Sequence, residues 1–209
     1  MADDSTRLEL CSKLKDFHRQ DKLTDFVIVC GDRKWNVHRF VLALHSDVLR
    51  RACSSGFKEA HERLIDLSAD HDPVVIEALV EYMYTFNYSV YSLDELEAIE
   101  LHANLYLLGD KYNIEGLCEV ATDAFISLLK GPPEVLAKAA KVAYAYPDVT
   151  TILCEELVDA VVERKELLSN GKGTVLLSAM RENDSFARDV EKIIAFEPVR
   201  KRLALVPDR

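Results

Sequence analysis

Leu8, Cys11, Leu14 and Phe17 recur every three residues, with Leu10 beside them and charged or polar residues between. That spacing predicts an amphipathic helix from about Thr6 to Gln20. Asp25-Phe26-Val27-Ile28-Val29-Cys30 is a short β-rich run, and Arg33 to His38 alternates Trp35 and Val37 with polar residues. Gly31-Asp32 between them suits a two-residue hairpin, because glycine tolerates positive φ at the first turn position. From Arg39 to Cys53, Phe40, Val41, Leu44, Val48 and Leu49 are expected to form one apolar helical face, with Ser46-Asp47 able to cap a second short helix. Ser54-Ser55-Gly56 breaks the pattern, and Leu64-Ile65-Asp66-Leu67 reads as a third strand.

Everything afterwards has helical periodicity. Asp72-Pro73 opens a helix with Asp as cap and Pro in the first turn, and Val75, Ile76, Leu79, Val80, Met83 and Tyr84 lie on its buried side. Ser92 with Glu95 three residues on is expected to form a capping box for a helix reaching about Tyr112. Another helix spans about Ile114 to Lys130. Gly131-Pro132-Pro133 is the clearest boundary in the chain. Helices are predicted beyond it over Pro133 to Tyr146 and Asp148 to Leu168. After a break at Asn170-Gly171-Lys172-Gly173, one or two more cover Val175 to Phe196. The fold class is α+β: a small β-sheet wrapped by helices, followed by an all-α extension. The expected divisions are 1–24, 25–131 and 132–209. The apolar residues after Pro133 demand cover, so the extension is expected to pack as a compact body.

Composition narrows the function. The 209 residues are 49% hydrophobic, enough for a sizeable core. Lys+Arg number 26 against 36 Asp+Glu, a net charge of −10 that repels a polyanion and argues against nucleic-acid binding. The longest apolar runs fall short of a membrane span, and the N-terminus lacks the pattern of a signal peptide. Five cysteines, Cys11, Cys30, Cys53, Cys118 and Cys154, form no C-x-x-C pair and read as reduced small hydrophobes. The expected location is therefore cytoplasmic or nuclear, and the sequons at Asn87 and Asn183 are chance matches.

Candidate chemistry is sparse. His45, His61, His71 and His102 show no ligand spacing with Cys or carboxylate, so no metal or other cofactor is expected. Asn170-Gly171-Lys172-Gly173-Thr174 lacks phosphate-loop spacing, and there is no G-x-S-x-G elbow. Arg200-Lys201-Arg202 is a short basic stretch, and the acidic run Asp94-Glu95, Glu97, Glu100 reads as a solvated helix face. The chain is expected to be an interaction protein and not an enzyme.

Several stretches resemble the BTB/POZ family. Asp25-Phe26-Val27-Ile28-Val29, Gly31 and Trp35-Asn36-Val37-His38-Arg39-Phe40-Val41-Leu42-Ala43 are similar to its strand–turn–strand–helix opening. Phe57-Lys58-Glu59 and Leu64-Ile65-Asp66-Leu67 resemble the loop and strand that follow. Ala78-Leu79-Val80-Glu81-Tyr82-Met83-Tyr84-Thr85 resembles the family's helix ending in Tyr-x-Tyr-Thr. Leu105-Tyr106-Leu107-Leu108-Gly109-Asp110-Lys111-Tyr112-Asn113-Ile114 resembles a later helix, with Gly109 where Ala is usual. Four weak motifs in the right order and at the right spacing carry the resemblance, whose flavour is that of the short BTB proteins common in filamentous fungi. No Kelch repeat, MATH domain or zinc-finger spacing accompanies them.

The resemblance implies a set of surfaces. The first helix would face a partner subunit in a homodimer through Leu8, Leu10, Cys11, Leu14 and Phe17. Phe57 and Glu59 would bind a cullin scaffold, with Tyr112 and Asn113 flanking the same groove. Asp25 and Arg39 would form the charged pocket that recruits co-repressors in some BTB dimers, and His38 would be structural. The implied function is a scaffold, or a substrate adaptor of a cullin-RING ubiquitin ligase, with a transcriptional co-regulator as the alternative. The substrate or cargo protein is not indicated.

Overall fold

The computed structural model describes residues 4–54, 56, 58–169 and 173–203, and side chains within 9–195. The chain forms two compact units, Met1–Tyr91 with Asn104–Val120, and Ser92–Ala103 with Ala121–Arg209.

The first unit begins with α1 (Asp4–Arg19), β1 (Phe26–Cys30) and β2 (Arg33–Val37). Cys30 pairs with Arg33, leaving Gly31 and Asp32 as the turn, and Gly31 takes φ +57°. A side chain there would be strained, which is why glycine marks the hairpin. On β1, Phe26, Ile28 and Cys30 point into the core, as period-two alternation requires. Then come α2 (Arg39–His45), α3 (Asp47–Cys53), α4 (Lys58–Glu62) and β3 (Leu64–Asp66). The sheet order is β2-β1-β3, with β1 antiparallel to β2 and parallel to β3, Ile28 opposite Ile65. A parallel neighbour needs a crossover, and α2 to α4 provide it. α5 (Pro73–Thr85) opens as expected, with Asp72 Oδ1 accepting from the Val74 N–H at 2.8 Å. Val75, Ile76, Leu79, Val80, Met83 and Tyr84 are buried on it. Each such side chain contributes roughly 1.5–3 kcal/mol.

Two expectations in this unit need correction. Phe40, Leu44 and Val48 are 55%, 77% and 41% exposed, whereas Val41 and Leu49 are buried. Within α2 apolar side chains lie on both faces, and Ser46, extended at φ −147°, starts a separate helix α3 by accepting from the Leu49 N–H at 3.0 Å. Two seven-residue helices with separate axes do not share one 3.6-residue face. The segment between Gly56 and Leu64, read as loop, contains the short helix α4.

α6 (Glu95–Tyr112) and α7 (Glu115–Leu128) are divided between the units. α6 does have a capping box, but not at Ser92. Asp94 Oδ1 accepts from the Leu96 and Glu97 N–H groups at 2.9 Å each, and Glu97 Oε2 accepts from the Asp94 N–H at 3.0 Å.

The second unit continues with α8 (Pro133–Ala143), α9 (Thr151–Glu163), a 3-10 turn (Lys165–Leu168), α10 (Thr174–Glu182) and α11 (Asp184–Leu203). The long helix expected over Asp148 to Leu168 is therefore shorter: Asp148 lies in the preceding turn, and Leu168 in the 3-10 turn. Alanines 137, 139, 140 and 143 bury the inner face of α8, and their small size permits close packing on α9 and α10. Leu153, Leu157, Val161, Leu176, Phe186 and Val190 complete this core. The Gly131-Pro132-Pro133 junction lies inside the unit. Arg164 Nη1 donates to the Leu129 and Gly131 carbonyls at 3.0 and 2.8 Å, closing the end of α7. Asn183 Oδ1 caps α11 by accepting from the Phe186 N–H at 3.0 Å. Of the break expected at 170–173, only Gly173 lies among the described residues.

Candidate protein-interaction surfaces

α1 packs on α5 of its own unit. His18 stacks on the Tyr84 ring with centroids 4.1 Å apart. Burial lowers the His18 pKa, with further lowering by His38 and an opposing effect from Asp21. Along the rest of the helix, Leu10 is 68% and Phe17 42% exposed, while Cys11 and Leu14 are half-buried. The Leu8 side chain lies outside the described residues. The helix thus keeps an apolar stripe that its own chain does not cover. Phe40 and Leu44, one turn apart on α2, are exposed as well, and α2 also packs on α5. Sequence reading missed Phe40, Leu44 and Val48 as surface residues because it placed them in the core; Leu23, 81% exposed, carried no periodic signal at all.

His38 is 3% exposed and serves the fold. Its backbone N–H donates to the Tyr84 hydroxyl at 3.0 Å, its Nδ1 lies 2.8 Å from that hydroxyl, and its Nε2 lies 2.8 Å from the Lys22 carbonyl.

Asp25 and Arg39 come together. Asp25 Oδ1 accepts from the Arg39 N–H at 2.8 Å and so caps α2, whose own N-cap residue His38 makes no side-chain cap bond. The Arg39 guanidinium reaches Asp25 Oδ2 only at 3.9 Å. It lies 5.4 Å over the Phe26 ring and donates to the Cys53 and Ala60 carbonyls at 3.3 and 3.4 Å. Those carbonyls lie at the end of α3 and within α4, so Arg39 joins the two helices on either side of position 57. Burial pushes the nearby Cys53 thiol up to about 11, against an opposing pull from Arg39.

Glu59 is half-buried in the first turn of α4, where a carboxylate favours the helix dipole, and Phe57 lies outside the described residues. Tyr112 is 7% exposed, and its carbonyl accepts from Ser46 Oγ at 2.5 Å. The ring is therefore mostly withdrawn from solvent. Asn113 is exposed with φ +52° and closes α6, where the Ile114 N–H returns to the Gly109 carbonyl at 2.7 Å. Asn is among the few residues that tolerate this conformation. A cleft of about 410 Å³ beside it is lined by His45, Asp47, Tyr82, Asn113 and Glu115 among others. Gly109 has a reason of its own: a Cβ there would lie 2.7 Å from Cys118 Sγ.

All five cysteines are free thiols. Among the described residues no group of His, Cys, Asp or Glu is placed to hold a metal ion, and no helix is long and apolar enough to cross a membrane.

The sheet is wrapped by helices, and the N-terminal helix packs on α5. The chain belongs to the BTB/POZ family, whose profile matches residues 14–128, more than half its length. Kelch repeat and BTB domain-containing protein 4 of Homo sapiens is 32% identical over 100 residues, 48% of this chain and 17% of that protein. Kelch-like protein 40b of Danio rerio is 35% identical over 77 residues, 37% of this chain and 12% of that protein. The chain thus spans less than a fifth of these curated relatives. Among solved structures, the BTB domain of zebrafish PATZ1 aligns with a TM-score of 0.47 at 16% identity, over 59% of this chain and 93% of that one.

Proposed function

We propose that the chain works as a BTB homodimer that scaffolds a protein complex, and more particularly as a substrate adaptor of a cullin-RING ubiquitin ligase in the cytoplasm or nucleus. The exposed apolar stripe of α1, with Leu10 and Phe17 facing outward, carries the dimer reading. Phe40 and Leu44 add apolar surface on α2. Side chains of this size in such number on two helices call for a partner. Leu10, Cys11, Leu14 and Phe17, with Leu8 beyond them, are the proposed contacts of α1.

The adaptor reading rests on Phe57-Lys58-Glu59. An aromatic anchor with a carboxylate two residues on suits a pocket and its polar rim. Arg39, bonded to the carbonyls of Cys53 and Ala60, joins α3 and α4 on either side of this segment. Asn113 is exposed and available to the same partner, while the buried Tyr112 would support the site from beneath. The same bonds favour the adaptor over the co-repressor pocket, because the Arg39 guanidinium is engaged by its own chain. The test is a titration of the N-terminal domain of a cullin against wild type, Phe57→Ala and Glu59→Ala, with circular dichroism as a folding check. Wild type is expected to bind, and Phe57→Ala to lose about 2 kcal/mol, roughly thirtyfold in affinity. No binding at tens of micromolar would remove the adaptor role and leave the scaffold. Equal binding by folded variants would move the contact elsewhere.

A further inference from the structure

In the second unit α9 packs along α11, and with the turn after α8 they enclose an open groove of about 490 Å³. Tyr144, Cys154, Val158 and Ile193 give it an apolar floor. Val158 lies four residues after Cys154, and Asp159 four residues after Glu155, so an apolar floor and an acidic rim run side by side along α9. Asp189 supplies a third carboxylate from α11.

The charges do not balance. Lys192 is the sole cation among the lining residues, and its Nζ already sits 3.0 Å from Asp189 Oδ1. Asp189 Oδ2 also accepts from the Tyr144 hydroxyl at 3.1 Å, so this residue is held in place. Glu155 and Asp159 are exposed and have no ion pair among the described residues. The Cys154 thiol is pushed up to about 11 mainly by burial, against a bond from Thr150, with smaller contributions from Asp189 and Glu155.

We propose that this groove docks a segment of a partner protein that presents an arginine or lysine beside apolar side chains. The apolar floor takes the aliphatic part of such a segment, and Glu155 with Asp159 takes the cation. The volume suits a few side chains, not a folded domain. The inference stands apart from the dimer and cullin readings, since it concerns only the helical extension, and it gives that extension a cargo-binding role.

The experiment uses the full chain, labelled with nitrogen-15, and two probes. One is a short amidated alanine-based peptide with one arginine between two leucines. The other is its twin with uncharged citrulline in place of arginine. The arginine peptide is expected to shift the amides of Thr151, Glu155, Asp159 and Ile193, with the twin about tenfold weaker. Glu155→Gln and Asp159→Asn, which touch no core contact, are expected to weaken the arginine peptide several-fold while the rest of the amide spectrum is unchanged. Absence of shifts at millimolar peptide would overturn the proposal, as would equal binding of the two peptides or undiminished binding by both variants. Shifts of the same amides with protein concentration alone would assign the groove to a second copy and overturn it too.

Discussion

Replacing Tyr84 with phenylalanine isolates one hydroxyl, the one that joins α5 to His38 at the start of α2. That hydroxyl accepts from the buried His38 N–H at 3.0 Å and lies 2.8 Å from His38 Nδ1. A carbonyl only accepts, so the 2.8 Å contact between His38 Nε2 and the Lys22 oxygen places the ring proton on Nε2. In the neutral ring Nδ1 is then the acceptor for the Tyr84 proton, and every polar atom of the cluster is satisfied. Burial pushes the Tyr84 pKa up to about 12, against the bond from the His38 backbone, so the hydroxyl keeps its proton at neutral pH. Tyr84→Phe retains the ring and the His18 stack at 4.1 Å but orphans a backbone donor and an imidazole acceptor in a residue that is 3% exposed. One orphaned buried group costs about 1–3 kcal/mol, and the two share a site, so the expected loss is about 3 kcal/mol. Urea unfolding followed by circular dichroism should show the midpoint falling by about 1–2 M. Tyr91→Phe, at a site 99% exposed, is the control and should leave it unchanged. A loss below about 0.5 kcal/mol for Tyr84→Phe would refute the reasoning, because buried orphans are not that cheap.

Gly109→Ala installs the family's usual residue, yet its Cβ would meet Cys118 Sγ at 2.7 Å and the Cys118 nitrogen at 3.2 Å. Thermal unfolding should show a loss of about 1–3 kcal/mol, partly recovered in the double variant with Cys118→Ala. Asp94→Ala should cost about 1 kcal/mol in the same assay and Ser92→Ala almost nothing, because Asp94 makes the cap bonds. Burial lowers the His102 pKa from 6.5 to about 4, so the folded chain resists a proton that the unfolded chain accepts. That contribution is complete above pH 6.5 and is lost as pH falls towards 4. About 2 kcal/mol should be gone by pH 5, before most carboxylates titrate. Urea midpoints measured from pH 7 to 5 should therefore fall in wild type and much less in His102→Gln.

The parts legible in the sequence were those where one local signal had no competitor. Gly31 at a hairpin, alternation along β1 and Asp72-Pro73 at a helix start each admit one reading. Ser92 and Asp94 compete, because each is a good cap with a glutamate three residues on, and only the bonds in the structure single out Asp94. On α2 apolar side chains occupy both faces, so Phe40 and Leu44 could not be told from Val41 and Leu42 by periodicity. α4 is five residues long, too short to show a period. Among the candidate site residues, Asp25 with Arg39 and the exposed stripe of α1 were readable from motif and spacing. The burial of Tyr112 and the binding of Arg39 to the Cys53 and Ala60 carbonyls were not, since both arise from contacts distant in sequence.

Light scattering behind size exclusion tests the proposed assembly most directly. The account predicts about twice the chain mass at micromolar concentration for wild type, and a shift towards the monomer when Leu10 and Phe17 are both replaced by serine, with helicity retained. These two side chains are 68% and 42% exposed in the isolated chain, so their loss should leave the monomer folded while removing apolar contacts from the interface. A wild-type protein that elutes as a clean monomer at tens of micromolar would contradict it.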